Sequence, residues 1–164
     1  MWYALLAPLA AAVRVGDQVP AFRATTHLGR TVTDASFRGR GLVLWEGENF
    51  ESLARNFSDL GYGIAGCSTD DVDFNLKFAT DHSFSFPLIS DPNARVVEAF
   101  GACKRTDCSS AARMTFVISR RGHLLHIDPK FDPDNGPRNL LDLIAKMQRR
   151  AHGAVRHRAS LFRI

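Results

Sequence analysis

Two closely spaced cysteines, Cys103 and Cys108, are the residues of this sequence with the most evident chemistry. Four residues separate them, and the cations Lys104 and Arg105 directly follow Cys103. A cysteine reacts as its thiolate, which nearby cations and solvent exposure favour. The spacing also permits a local disulfide, provided that the turn brings the two Cα atoms within bridging distance. Three states therefore stay open for this pair: a structural or redox disulfide, two thiols, and a catalytic thiol pair.

Other candidate side chains carry a weaker signal. Cys67 ends a short apolar segment, so we expect it to be a small buried residue of the core. His123 and His126 alternate along a predicted strand and are expected to be surface or packing residues. Because no histidine lies beside the cysteine pair, a zinc site is disfavoured. The sequence has no phosphate-binding loop, dinucleotide fingerprint or hydrolase nucleophile motif, so we predict no cofactor and no metal.

The positive charge of the chain is concentrated at its C-terminal end. The 164 residues carry a net charge of +4, whereas residues 143–164 contain six basic residues and no acidic one. Subtracting those six charges leaves −2 on the rest of the chain. The folded part is therefore not a basic nucleic-acid surface. The six basic residues are Lys146, Arg149, Arg150, Arg156, Arg158 and Arg163.

Residues 1–12 are apolar and end in small residues, like the hydrophobic region and cleavage site of a secretory signal. They lack the positively charged start of such a signal and are too short to span a membrane. Two interpretations stay open, the remnant of a longer signal and a frayed apolar terminus, so the location is cytoplasmic or exported. We divide the chain into an apolar segment at 1–14, one domain at 15–150 and a basic tail at 151–164.

The pattern of apolar residues predicts short strands and helices in that domain. The continuous apolar run at 42–45 is typical of a strand buried on both faces. Apolar residues recur at helical spacing from Phe50 to Leu60, and Gly61 is placed to end that helix. The other predicted strands are 19–22, 29–33, 62–67, 114–118 and 124–127.

Three further helices are predicted from caps and apolar faces. Asp70 or Asp71 is expected to cap the first, with Val72, Leu76 and Ala79 on its buried face. Asp91 and Pro92 open the second, which carries Val96, Val97 and Phe100 and ends at Gly101. The last helix starts at Pro137 and is expected to bury Leu140, Leu141, Ile144 and Met147.

The order of the predicted elements is ββ, βαβ, αα, ββ, α. A βαβ unit makes its two strands parallel, whereas the hairpin at 114–127 is antiparallel. We therefore predict a single α/β domain with a mixed central β-sheet flanked by helices, a thioredoxin-like fold.

Six segments of the sequence, in this order, resemble the peroxiredoxins of the bacterioferritin-comigratory (PrxQ-like) type. This family belongs to the alkyl hydroperoxide reductase–thiol-specific antioxidant superfamily, and the resemblance covers most of the chain. It implies a thioredoxin-like fold and hydroperoxide chemistry. The segments are Val15–Phe22, Gly29–Thr33 with Phe37–Arg40, Cys67–Asp70, Phe84–Asp91, Arg113–Ile118 and Asp132–Asp134.

The sequence departs from that family where the family carries its peroxide-attacking cysteine. The family has a Pro-x-x-x-Thr-x-x-Cys loop after the strand that matches 42–45. Here no Pro, Thr or Cys occurs between Trp45 and Tyr62, and the acidic residues Glu46 and Glu48 precede the next helix. A carboxylate suits a helix N-terminus but disfavours a neighbouring thiolate. For Arg113, the resemblance implies the family's active-site arginine, and a structural salt bridge is the alternative.

Two functions from different classes follow. The first is a thiol-dependent redox protein, a thioredoxin-dependent peroxidase if active, that reduces hydroperoxides with a thioredoxin-like reductant. Its activity is expected to be impaired, and its candidate catalytic residues are Cys103, Cys108 and Arg113. The second is an inactive thioredoxin-fold scaffold or binding protein. For either, we expect no nucleic acid partner, no membrane span, and a monomer or homodimer.

Overall fold

Seven β-strands form one mixed sheet in the computed structural model, which describes residues 13–45, 50–104 and 106–161. The strands are β1 (Arg23–Thr26), β2 (Thr31–Thr33), β3 (Gly41–Trp45), β4 (Tyr62–Ser68), β5 (Leu88–Ser90), β6 (Thr115–Ile118) and β7 (Leu124–Asp128). They lie side by side in the order β2-β1-β5-β4-β3-β6-β7. The pairs β3–β4 and β4–β5 are parallel, and the other neighbours are antiparallel. The mixed sheet predicted from the sequence is confirmed.

The apolar run at 42–45 forms β3, near the centre of the sheet. Leu42 and Leu44 pack into a core on one face, whereas Val43 packs into a second core on the other face. All three side chains are buried. Because successive side chains of a strand point to opposite faces, a strand covered on both faces has no polar side. This is the reason that the run lacks polar residues.

Four α-helices in the described part of the chain cover the two faces. They are α1 (Ala54–Asp59), α2 (Val72–Asp81), α3 (Arg95–Ala99) and α4 (Gly136–Leu161). Val96 and Val97 of α3 join the core on the Leu42 face. Phe57 of α1 and Ile144 of α4 join the core on the Val43 face. Among the described helices, none is long and apolar enough to cross a membrane.

Strand β5 is absent from the sequence prediction. Its three residues are all buried, and it pairs with β4 on one side and β1 on the other. Three residues are too few to show a periodicity of their own. Only the pairing with two neighbours, which is a property of the tertiary structure, makes the segment a strand.

The first predicted strand is wrong in position. β1 begins at Arg23, just beyond the predicted range 19–22. Pro20 has no backbone N–H to donate to a ladder, which disfavours a strand through that position. The backbone N–H of Val19 instead donates to the carbonyl of Gly122 at 2.8 Å. β1 and β2 are antiparallel around a turn at Gly29, whose φ is +71°.

The predicted buried face of helix α2 is wrong at Leu76, whereas Ala79 is buried as predicted and Val72 is half-buried. Asp71 caps the helix by accepting the N–H of Phe74 at 2.8 Å, as predicted. Leu76, however, is 42% exposed, and the buried residues of the helix are Asn75 and Ala79. Asn75 is turned inward because its side chain forms hydrogen bonds with Ser68 and Ser90. A buried polar network of this kind is not visible in an apolar pattern.

Helix α3 starts later than predicted, although Asp91 caps it. The carboxylate of Asp91 accepts the backbone N–H groups of Arg95, Val96 and Val97 at 2.8–2.9 Å. Pro92 is not the first helical residue, because Ala94 has a left-handed φ of +53° and the helix begins at Arg95. The last helix, α4, starts one residue before Pro137 and continues to Leu161. The first residues of the predicted tail therefore have helical backbone.

Candidate functional site

The predicted reactive cysteines lie in a loop between α3 and β6. We call residues 102–112 the disulfide loop, because Cys103 and Cys108 are joined by a disulfide bond. Their Cα atoms are 4.7 Å apart, within the usual range of about 4.4–6.8 Å for such a bond. Both residues are half-buried. Of the three states left open by the sequence, the structure shows the disulfide.

Backbone hydrogen bonds fix the two ends of the disulfide loop against each other. The N–H of Ala112 donates to the carbonyl of Ala102 at 2.7 Å, and that of Lys104 donates to Ser110 at 2.9 Å. Cys103 and Ala111 form an antiparallel β-bridge between these two bonds. The base of the loop is therefore a short pair of antiparallel segments. The disulfide links Cys108, in the tip of the loop, to Cys103, in this base.

The tip of the disulfide loop places a charged group next to each cysteine in the sequence. Lys104 follows Cys103, whereas Asp107 precedes Cys108. The Asp107 carboxylate accepts the backbone N–H of Ser109 at 3.1 Å and the Ser109 hydroxyl at 2.9 Å. These two hydrogen bonds lower the pKa of Asp107 below its ordinary 3.8, and the bond from the backbone N–H has the larger effect. A carboxylate is thus held ionised beside Cys108. The sequence reasoning missed this role, although an Asp two residues before a Ser is a recognisable turn signal.

Cys108 has an unusual backbone conformation. Its φ of +52° lies in the left-handed region. This backbone conformation is about 1–2 kcal/mol less favourable than the right-handed one for a residue with a Cβ atom. Such a conformation persists where the surrounding structure determines it. Here the disulfide and the Asp107–Ser109 turn lie on the two sides of Cys108.

Arg113, the third predicted site residue, directly follows the disulfide loop. Its side chain is exposed, and its backbone carbonyl accepts the N–H of Phe131 at 3.3 Å. The structure therefore places Arg113 next to the cysteine-bearing loop in the chain and accessible to solvent. Glu46 and Glu48, which occupy the position of the family's cysteine loop, lie outside the described residues.

The third cysteine, Cys67, lines an apolar pocket beside the disulfide loop. The pocket encloses about 280 Å³ including its open mouth. Cys67 carries a thiol and is half-buried, which corrects the prediction of a fully buried core residue. Cys67 is the second-last residue of β4 and lines the pocket, so the core covers its side chain only in part. The lining residues are Leu44, Cys67, Val96, Val97, Phe100, Ala102, Ala111, Ala112, Met114 and Phe116.

A second depression is lined by residues of β7, of the segment after it and of α4. It includes His126, Asp128, Lys130 and Asp132 among its lining residues. In the part of the chain that the structure describes, no group of three His, Cys, Asp or Glu side chains is arranged to hold a metal ion. His123 is exposed and His126 is half-buried, so both have the surface or packing positions that the sequence predicts.

Comparison with known proteins identifies the family of this chain. The AhpC/TSA family model matches residues 15–127. Peroxiredoxin Bcp of Bacillus subtilis is 25% identical over 130 residues, which cover 69% of this chain and 83% of that protein. The crystal structure of peroxidoxin BcpB from Mycobacterium tuberculosis superposes with a TM-score of 0.74 at 25% identity, over 82% of this chain and 97% of that chain.

A further solved structure supports the fold alone. A mutant of PrxQ from Xylella fastidiosa has a TM-score of 0.77 at 19% identity, and the superposition covers 84% of this chain and 99% of that chain. The mixed sheet with helices on both faces is therefore the thioredoxin-like fold of peroxiredoxins. Since the family model matches more than half of its residues, this chain belongs to the AhpC/TSA family, and its relatives are peroxiredoxins of the Bcp and PrxQ type.

Proposed function

We propose that this chain is a thiol-dependent redox protein whose reactive group is the Cys103–Cys108 pair. The observation that carries the proposal is the disulfide itself, since it joins two loop cysteines in a domain of the AhpC/TSA family. Both sulfur atoms are in bonding distance without a rearrangement of the strands. The segment between Trp45 and Tyr62 contains no cysteine, so this pair takes the place of the family's peroxide-attacking residue.

The proposed reaction reduces a hydroperoxide at the expense of a thioredoxin-like dithiol. In the reduced protein, one cysteine thiolate attacks the outer oxygen of ROOH, which gives a sulfenic acid and, after uptake of a proton, ROH. The second cysteine then attacks the sulfenic sulfur, so that a disulfide forms and water leaves. The donor dithiol reduces this disulfide to two thiols and becomes a disulfide itself. Two electrons thus pass from the donor to the peroxide.

The charges of the loop assign the two cysteines to different steps. Asp107, whose pKa is lowered by its hydrogen bonds to Ser109, directly precedes Cys108 in the sequence, and a nearby negative charge disfavours a thiolate. Cys103 is followed by the cations Lys104 and Arg105. We therefore assign the attack on peroxide to Cys103 and the resolving step to Cys108. Arg113, exposed at the end of the loop, is the candidate cation that attracts the thiolate.

The experiment measures peroxide consumption with dithiothreitol or a thioredoxin-like protein as the donor. We expect a slow rate for the wild type, because no helix N-terminus activates these cysteines as it does in the family loop. The rate should fall to background in the Cys103→Ser, Cys108→Ser double variant and stay unchanged in Cys67→Ser, the matched control. A fast rate that survives the double substitution would contradict the assignment.

The single variants test the order of the two steps. In Cys108→Ser, peroxide should leave a sulfenic acid on Cys103 that dimedone traps and mass spectrometry locates. In Cys103→Ser, trapping at Cys108 should be much weaker. The reverse pattern would exchange the two roles while leaving the reactive pair itself intact.

A second candidate function is a scaffold or binding protein without peroxidase activity. The observation in its favour is the acidic segment, with Glu46 and Glu48, where the family carries its Pro, Thr and Cys. This reading predicts no peroxide consumption in any variant and a Cys103–Cys108 disulfide that thioredoxin-like donors fail to reduce under native conditions.

A further inference from the structure

The apolar pocket and the disulfide loop share a wall. Ala102, Ala111 and Ala112 belong to the loop and line the pocket, whereas Leu44, Cys67 and Phe116 come from strands of the sheet below it. The cysteines of the disulfide themselves are not lining residues. The position of the wall therefore depends on the loop backbone, and the floor of the pocket depends on the sheet.

The wall is held in place by two kinds of contact. Backbone bonds join Ala102 to Val97 on one side and to Ala112 on the other, at 2.8 and 2.7 Å. The disulfide then closes the loop from Cys103, the residue after Ala102, to Cys108, three residues before Ala111. The wall belongs to no strand of the sheet, so these short contacts and the packing of Ala102 and Ala111 in the core hold it.

The disulfide constrains an unfavourable backbone conformation at Cys108, and reduction removes this constraint. Cys108 is left-handed at φ +52°, although it is neither Gly nor Asn. A left-handed residue with a Cβ atom is disfavoured unless other contacts hold it. When the disulfide is cut, the covalent constraint on Cys108 is gone and the chain gains conformational freedom.

We propose that the Cys103–Cys108 disulfide is a redox switch for the apolar pocket, which keeps the pocket narrow when oxidised and lets it widen when reduced. A dithiol reductant supplies two electrons and two protons, so that the S–S bond breaks, two thiols form and the reductant becomes a disulfide. Cys108 then leaves the left-handed region, and the segments at Ala102 and Ala111 separate. The pocket widens, and the half-buried thiol of Cys67 becomes more accessible. This inference goes beyond the proposed function, because it concerns the pocket and requires no peroxide chemistry.

The test compares two proteins that each carry a single thiol, Cys67. One is the oxidised wild type, and the other is the Cys103→Ser, Cys108→Ser double variant, in which the disulfide cannot form. We expect iodoacetamide to alkylate Cys67 roughly fivefold faster in the double variant, the factor that corresponds to the lower end of the left-handed penalty. Peptide mass spectrometry of the wild type with and without dithiothreitol should show the same acceleration at Cys67, even if the double variant folds poorly.

The matched control is Ile144→Val, which lowers stability in the core on the opposite face of the sheet and leaves the loop intact. Its Cys67 should react at the wild-type rate. Equal rates in the oxidised wild type and the double variant would overturn the switch, and so would an equal acceleration in Ile144→Val, since that would mean global opening. If no variant consumes peroxide but reduction of the disulfide still accelerates alkylation of Cys67, the proposed function fails and the switch stands.

Discussion

The carboxylate of Asp91 accepts the backbone N–H of Val97 at 2.9 Å, and Val97 is also a lining residue of the apolar pocket beside the disulfide loop. Asp91 thus fixes the start of α3, a helix of only five residues, against the sheet. A helix this short has little stability of its own in water. Its position therefore depends on the cap and on the packing of Val96 and Val97.

Replacing Asp91 should destabilise the protein through the loss of this cap. We expect Asp91→Ala to lower the free energy of unfolding by about 1–2 kcal/mol, because three N–H groups lose their acceptor. Asp73→Ala, at an exposed position in the first turn of α2, is the control and should change stability little. Urea unfolding measures both, and equal effects would contradict the role of Asp91.

The same residue predicts a pH dependence of stability. Burial raises the pKa of Asp91 above its ordinary 3.8, and the backbone hydrogen bonds from Val97, Val96 and Arg95 offset part of this rise. The folded state therefore binds the proton more tightly than the unfolded chain, so the contribution of this group to stability falls as the pH rises from 3.8 through the folded-state pKa. The stability of the wild type minus that of Asp91→Asn should decrease over this window. An increase would show that the hydrogen bonds outweigh burial.

Asn75 should be a sensitive position in the core. Its side chain donates to Ser90 Oγ at 2.9 Å and accepts from Ser68 Oγ at 3.1 Å, and it is buried behind the ends of β4 and β5. Asn75→Ala leaves two hydroxyl groups without this partner, and we expect a loss of about 2–3 kcal/mol in unfolding free energy. Asn56→Ala, on the exposed side of α1, is the matched control and should be nearly neutral.

Thr115 is expected to respond in the opposite direction. Its side chain is fully buried, and its hydroxyl has no hydrogen-bond partner among the described residues. Val has the same shape without the hydroxyl, so Thr115→Val should leave stability unchanged or raise it by about 1 kcal/mol. Thr80→Val is the control, since it removes a hydroxyl that donates to the carbonyl of Leu76 at 2.8 Å. A clear loss of stability in Thr115→Val would indicate a hydrogen bond to that hydroxyl.

The disulfide should also contribute to stability. Because it closes a loop with a sequence separation of only 5, the chain-entropy relation gives about 2 kcal/mol for its removal, at the low end of the usual range. The left-handed backbone of Cys108 offsets part of this. Urea unfolding of the wild type with and without dithiothreitol measures the difference, and Cys67→Ser is the control that should show the same difference.

The sequence by itself determined the family and most of the sheet. Both faces of β3 are covered, so the strand is a continuous apolar run that includes Leu42, Val43 and Leu44. This run predicts the central strand from the sequence. The cap at Asp71 can also be predicted from the sequence, because a capping side chain accepts a backbone N–H only a few residues further along the chain. The missing cysteine between Trp45 and Tyr62 was also a fact of the sequence.

Only the tertiary structure decided features that depend on residues far apart in the chain. Strand β5 exists because β1 and β4 flank it, and Asn75 is buried because Ser68 and Ser90 bond to it. The spacing of Cys103 and Cys108 left a disulfide and two thiols open, since bonding depends on the path of the backbone between them. The pocket over Cys67 is assembled from three strands, one helix and a loop, so its existence follows from packing and from no local pattern of residues.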